Sequence, residues 1–342
     1  MSRIQRAVDA LAAGEMVIVV DDDDRENEGD LVVAAAEVTA RQVNFMARHG
    51  RGLICVSMAP ERLRELGVPP MAARNEDPRG TAFHVSVDHV SATTGISAAE
   101  RARTIRALAD PACRPADLVR PGHVFPLGYR PGGVLERDGH TEASIDLCRL
   151  AGAGDAAVIC EIMRDDGEMA RGPELAAFAE RWGLPLVSVA ELVAHRRTHD
   201  PAVRRGRELP VAQRPGLRVV EYEALAGGGP HLAIVGGNPE ADGATPVRVH
   251  RECLDGHVLG IRPCACADEL ATSFEAVAAG RCGLVVLLRD DGSPHRPEAA
   301  AEADRRAAVV RQIAADLGID VDAARPGTRP LVAVAGSTAE AA

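Results

Sequence analysis

The sequence predicts an α+β protein: a mixed-sheet domain followed by a smaller α+β domain. Three observations carry this. Short β-branched apolar runs alternate with stretches of helical periodicity over the first two hundred residues. A polar stretch rich in Arg and Pro then interrupts all periodicity between His199 and Leu217. Finally, 342 residues exceed what one core organises, since single cores stop growing at roughly 250–300 residues.

In order along the chain, Ser2–Ala13 places Ile4, Ala7, Val8, Leu11 and Ala12 at helical spacing, and Gly14 stops it. The run Met16–Val20 is a strand that ends abruptly in acid. Further strands are expected at Leu31–Ala35, Leu53–Met58, Ala82–Val87, Ala156–Ile162 and Leu184–Ser188. Helices are expected near Thr39–Gly50, Ala98–Ala109, Thr141–Ala151 and Pro173–Arg181. Beyond the polar stretch come strands at Leu217–Tyr222, His231–Val235 and Gly283–Leu288, and helices near Ala267–Ala279 and Ala299–Leu317. Residues 290–303 read as a loop, and the tail after Val334 as frayed.

Composition narrows the chemistry. All 39 basic residues are arginine, so mechanisms that need a lysine amine are excluded, among them Schiff-base, pyridoxal-phosphate and Walker-A chemistry. The net charge is −11, no basic face is evident, and aromatics make up 2%, which argues against a nucleic-acid partner. No apolar run approaches the ~20 residues of a membrane span, and the first residues lack the apolar core of a signal peptide, so a cytoplasmic protein is expected. Its eight cysteines then read as thiols or metal ligands.

Residues 21–30, Asp-Asp-Asp-Asp-Arg-Glu-Asn-Glu-Gly-Asp, set seven carboxylates in ten positions directly after a strand. A solvated turn is the plain reading of an acidic run. Carboxylates this dense also repel, and a divalent cation offsets the repulsion; oxygen ligands suit Mg²⁺ or Mn²⁺. Arg25, set among acids, is placed for an anionic or hydroxyl-bearing ligand. A second cluster, 120–127 and 132–142, holds His123 and His140 among glycines, with Arg137 and Thr141 suited to a phosphate. A lone histidine in such a loop is more often structural than catalytic; two in one glycine-rich stretch, beside Arg137 and Thr141, bring the two readings level.

Asp-Arg-Glu-Asn-Glu-Gly-Asp at 24–30, Thr-Thr-Gly-Ile-Ser-Ala at 93–98, Arg-Pro-Gly-His-Val-Phe-Pro-Leu at 120–127, Gly-His-Thr-Glu-Ala at 139–143 and Cys160-Glu161 followed by 166–171 together resemble 3,4-dihydroxy-2-butanone-4-phosphate synthase over about residues 3–197. The resemblance implies conversion of D-ribulose 5-phosphate to L-3,4-dihydroxy-2-butanone 4-phosphate and formate, two Mg²⁺ or Mn²⁺ per subunit, and a homodimer with sites near the subunit interface. It implies Glu26 and His140 as metal ligands. The substrate would be held by Arg25, Glu26, Asp30, Thr94, Arg137, Asp138, Gly139, His140, Thr141 and Glu161, with His123, Glu161 and a loop carboxylate, Asp30 or Glu28, exchanging protons. Glu76, His84 and Glu100 depart from the family pattern; drift is the plainer reading, and a neighbouring sugar phosphate is the alternative substrate that Glu76 and His84 raise.

Cys253, Cys264 and Cys266 form C-x10-C-x-C, a set that can hold zinc with one position open or be three unliganded thiols. With His250-Arg251-Glu252-Cys253 they resemble GTP cyclohydrolase II over roughly 215–320. Arg251, Pro263, Ala265 and Ala267 depart from that pattern, and little chain remains between Gly292 and Asp316 for nucleotide-binding and general-base groups. The domains implied are a synthase at 1–199, a linker at 200–216 and a truncated cyclohydrolase-like domain at 217–342. The last is expected to lack cyclohydrolase activity and to serve folding, dimerisation or regulation, with zinc retained. A bifunctional enzyme and a non-catalytic pathway scaffold are the other readings.

Overall fold

The computed structural model describes the chain except residues 23, 213, 226–228, 237–246, 255–258, 260–264, 281–282, 290–299, 320 and 322–342. The chain divides into two compact units between Arg196 and Arg197.

The first unit is built on a seven-stranded mixed sheet. Its strands are β1 (Val17–Val20), β2 (Gly29–Ala34), β3 (Cys55–Met58), β4 (Val87–His89), β5 (Leu118–Gly128), β6 (Ala156–Glu161) and β7 (Leu186–Ser188), in the order β4-β5-β3-β6-β2-β1-β7. β3 runs parallel to β5 and β1 to β7; the other neighbours are antiparallel. Side chains alternate between the two faces, so β2 sends Leu31 and Val33 into one core and Val32 and Ala34 into the other. Helices α2 (Ala40–Phe45), α3 (Pro60–Glu65), α4 (Ala98–Ala109) and α6 (Gly172–Trp182) cover the first face. The second is covered by α1 (Arg3–Ala12), α5 (His140–Leu150) and α7 (Val189–His199). Burial on both faces explains why β1, β2 and β6 read as continuous apolar runs.

Local chemistry sets the ends. Ser2 caps α1 through its hydroxyl, and Thr39 and Gln42 form a capping box on α2. After Phe45 the helix widens into one π-helical turn, Met46–Gly50, which closes on Arg51 in the left-handed region.

The second unit has a five-stranded mixed sheet, β11-β12-β10-β9-β8, formed by β8 (Val203–Pro210), β9 (Leu217–Ala224), β10 (His231–Gly236), β11 (Val247–Arg251) and β12 (Leu284–Leu288). α9 (Ala300–Asp316) packs Val310, Ile313 and Ala314 on one face, and α8 (Cys266–Ala278) packs Ala276 and Val277 on the other.

Several expectations are corrected. The segment 200–216, read as a structureless linker, carries β8, an edge strand whose side chains are almost all exposed. Residues 120–127, read as a glycine-rich loop, lie inside β5, the longest strand of the first sheet. The strand expected at Ala82–Val87 begins only at Val87, with isolated bridges at Phe83 and His84. α3, α7 and β11 had no counterpart in the sequence reading. Residues 300–303 belong to α9, whereas 290–299, the tail after Val334 and Cys264 lie outside the described residues.

Candidate active site

The acidic loop joins β1 to β2 and is organised around Asp21. This carboxylate is buried and accepts from Arg25 Nη1 (2.6 Å), the Glu28 amide (2.8 Å) and the Glu26 amide (3.1 Å). Three donors on one carboxylate fold the loop back on itself. Asn27 turns the chain at φ 53, and Arg171 clamps the Glu26 and Asn27 carbonyls at 2.7 and 2.6 Å. Two inward carboxylates follow, Glu26 and Asp30.

His140, the first residue of α5, is buried beside them, with Nδ1 3.7 Å from Glu26 Oε2. Ligand atoms of Asp21, Glu26 and His140 lie within 4.8 Å of one another. His140 Nε2 and Asp30 Oδ1 are buried without a hydrogen-bond partner. Orphaned polar atoms in a buried acidic cleft are costly unless a ligand satisfies them. A mixed imidazole and carboxylate set fits a hard divalent cation such as Mg²⁺ or Mn²⁺.

Electrostatics separate the three groups. The His140 imidazole 3.7 Å away, helped by Arg25 and outweighing burial, brings Glu26 down to about 2. Burial alone would lower His140, but Asp30, Glu26 and Asp21 raise it to about 9. Burial, reinforced by Glu161 and Glu28 against His140, lifts Asp30 to about 7. Burial also raises Glu28, with Glu26 and Glu161 adding to it. One cleft thus holds a permanent carboxylate and a carboxylate that titrates near neutrality.

An anion cradle adjoins this cleft. α5 starts at Gly139 with no side chain capping its first amides, the end of a helix that suits an anion. A Cβ on Gly139 would stand 2.3 Å from Arg137 Nη1 and 2.9 Å from Arg25 Nη2, so both guanidinium groups crowd that backbone. Glu142, one turn into α5 and buried, fixes Arg137 at 2.6 Å and the Arg130 amide at 2.9 Å. Arg137 also donates to the Arg79 carbonyl and the Thr81 hydroxyl. Thr141 is buried beside His140, and Asp138, mostly exposed, lies 3.8 Å from Arg25 Nε.

Glu161 ends β6 opposite Asp30 on β2. Its Oε2 accepts from the Leu53 amide at 2.7 Å, and a Cβ on Gly52 would come within 2.4 Å of that oxygen, so only glycine fits there. The register extends to β5: Phe125 lies opposite Cys55, Cys55 opposite Ile159, and Ile159 opposite Val32. Two residues further along each strand, His123, Glu161 and Asp30 share one end of the sheet. His123 makes no hydrogen bond or ion pair with either acid; it pairs with Asp88, Nδ1 to Oδ2 at 2.7 Å. Thr94 also stands apart, held through its hydroxyl by Glu100 at 3.0 Å. The structure therefore gathers Arg25, Glu26, Glu28, Asp30, Arg137, Gly139, His140, Thr141 and Glu161 around one cleft, and places His123 and Thr94 in a second cluster.

Asp21, Asp88 and Glu142 were not singled out from the sequence. Asp21 was one of four consecutive aspartates, and Glu142 stood in a quoted motif without a role; Asp88 carries no signal beyond a lone acid after Val87. His84 bonds its neighbour's carbonyl, Ala82, at 3.0 Å, and Glu76 is exposed. In the second unit Cys253 and Cys266 are both buried, and Cys264 lies outside the described residues.

A mixed seven-stranded sheet carrying an acidic cleft, followed by a second mixed-sheet unit, defines a two-domain α+β protein. Residues 5–195 match the 3,4-dihydroxy-2-butanone 4-phosphate synthase family and residues 203–307 match GTP cyclohydrolase II. The chain belongs to the 3,4-dihydroxy-2-butanone 4-phosphate synthase family, and its place is in riboflavin biosynthesis. It is 47% identical over 294 residues to the riboflavin biosynthesis protein RibBA of Aquifex aeolicus, spanning 84% of this chain and 72% of that one. It is also 47% identical to the RibBA protein of Synechocystis, of which it spans 53%.

Among solved structures, a 3,4-dihydroxy-2-butanone 4-phosphate synthase in complex with two magnesium ions is 47% identical, with TM-score 0.56 over 58% of this chain and 99% of its own. RibBX from A. baumannii, a two-domain 3,4-dihydroxy-2-butanone 4-phosphate synthase, is 36% identical, with TM-score 0.62 over 99% of this chain and 98% of that one. Among the described residues no helix is long and apolar enough to cross a membrane.

Proposed function

We propose that the chain converts D-ribulose 5-phosphate to L-3,4-dihydroxy-2-butanone 4-phosphate and formate as a cytoplasmic homodimer dependent on Mg²⁺ or Mn²⁺. The observation that carries this is the pair of orphaned buried atoms, His140 Nε2 and Asp30 Oδ1, beside the cradle at Gly139. Glu26 and His140 would hold the metal, which when bound supplies counter-charge to enediolate oxygens. Arg25, Arg137, Thr141 and the first amides of α5 hold the phosphate end. Asp30, ionising at about 7, takes the proton that opens enolisation. Glu28, Glu161 and His123 serve the later transfers as the skeleton rearranges and formate departs. Thr94 and Asp138 complete the substrate contacts.

The second domain, in this reading, has no cyclohydrolase activity and serves folding or assembly, with Zn²⁺ on Cys253, Cys264 and Cys266. Its support is the short stretch of chain between Gly292 and Asp316 and the similarity, over nearly the whole length of both chains, to a two-domain synthase. The test is formate release from ribulose 5-phosphate by Mg²⁺-loaded protein; a folded, metal-loaded sample that releases none overturns the reading, as does formate that persists after Glu26→Ala.

A further inference from the structure

The second cluster has an internal logic that proton transfer by His123 does not by itself require. Asp88, at the middle of β4, uses both carboxylate oxygens on one residue: Oδ1 accepts the His123 amide at 3.0 Å and Oδ2 faces His123 Nδ1 at 2.7 Å. A carboxylate only accepts, so the Nδ1 position carries the proton, and in the neutral ring Nε2 is the nitrogen that keeps its lone pair. The Asp88 side chain is largely buried and the imidazole is about half exposed, so the pair has one inner and one outer end.

The surroundings hold this pair rigidly. Gly95 lies against it: a Cβ there would come within 2.0 Å of Asp88 Oδ2 and 2.5 Å of His123 Nδ1, and the backbone at φ +80 already favours glycine. The turn bearing Gly95 is anchored by Glu100, which accepts from the Thr93 amide at 2.6 Å, the Gly95 amide at 3.1 Å and the Ser97 hydroxyl at 3.0 Å. The longer reach of Glu100, one of the departures from the family pattern, is thus spent on gathering this turn.

We propose that Asp88 is a positioning residue that fixes His123 as the Nδ1–H tautomer and aims Nε2 outward as a proton acceptor, with Gly95 as the wall that keeps the pair closed. This rests on the proposed synthase reaction, in which His123 exchanges a proton with the sugar. An aspartate behind a histidine holds tautomer and orientation without itself taking the proton. Asp88→Asn keeps the shape and still accepts the His123 amide, but its NH₂ now donates to Nδ1, so Nε2 must carry the proton.

The expected result is a fall in kcat of about 100-fold or more in Asp88→Asn with KM within about threefold, the size of a lost general base. Asp88→Asn combined with His123→Gln is no slower than His123→Gln alone. Nitrogen-15 spectra at pH 8, with His123 assigned by its loss in His123→Gln, show Nδ1–H in the wild type and Nε2–H in Asp88→Asn. A wild-type Nε2–H tautomer, a normal kcat in Asp88→Asn, or full additivity of the two substitutions overturns the proposal. The spectra need no turnover, so absence of formate from the wild type would sink the synthase reading alone and leave the tautomer assignment to stand or fall by itself.

Discussion

Asp30 and Glu161 face each other across the β2–β6 ladder, and only one of them is held by a donor. Glu161 takes the Leu53 amide, while Asp30 Oδ1 is buried and unbonded. Burial lifts Asp30 to about 7, so its basic form grows as pH rises through neutrality. Formate production should climb through that range and level off above it, and Asp30→Asn should remove the activity at every pH. The stability sign is opposite. A carboxyl whose folded value is raised above its ordinary ~3.9 weakens the fold as pH climbs from about 4 to 7. Metal-free Asp30→Asn should therefore melt no lower than wild type at pH 8; a clear drop in Tm would show that Asp30 stabilises the native state.

Metal uptake should release protons. His140, raised to about 9, is charged at neutral pH in the metal-free protein and must lose its proton to ligate. Mn²⁺ affinity should rise with pH up to about 9, and calorimetry in two buffers of different ionisation enthalpy should show uptake of the released proton by buffer. Identical heats in the two buffers would place the ion elsewhere. His140→Ala and Glu26→Gln should each abolish the tight Mn²⁺ site.

Gly139→Ala probes the cradle. Its methyl would stand 2.3 Å from Arg137 Nη1 and 2.9 Å from Arg25 Nη2, so both groups must withdraw from the α5 amides. An N-cap at φ −102 tolerates alanine, and the helix should lose only about 1 kcal/mol. KM for the sugar phosphate should rise at least about tenfold with Mn²⁺ binding unchanged. An unaltered KM would remove the phosphate from this position.

The second domain should leave GTP intact. Incubation with GTP and Zn²⁺ is expected to give no formamidopyrimidine product, and Cys253→Ala should leave formate release unchanged. Detection of that product would make the chain bifunctional.

Much of this was legible before any coordinates. β1, β2, β3 and β6 announce themselves as apolar runs because both sheet faces are covered, and α1 and α4 carry their caps in sequence. β5 was hidden because Pro121, Gly122 and Pro126 read as loop; it pairs with β3 only over 125–128, so Pro121, which donates no amide hydrogen, falls outside that ladder. β8 was hidden because an exposed edge strand needs no alternation: Arg204 and Arg207 find Glu223 and Glu221 across β9, and that charge guards the edge. The acidic loop and the Gly-His-Thr-Glu segment were recognisable as chemistry. That Asp21 would face inward and hold the others was not, since four consecutive aspartates look alike until a strand end decides which of them turns in.

α5 is buried over nine consecutive residues, His140–Cys148, and its first turn is also the floor of the cleft. A site of this kind has no private hinge. Beyond the uncapped first turn its amides should exchange with solvent only when the domain opens as a whole, so occupancy of the cleft by ion or sugar should be felt as a slower opening of the entire first unit. Catalytic readiness and the integrity of the fold are here a single cooperative property.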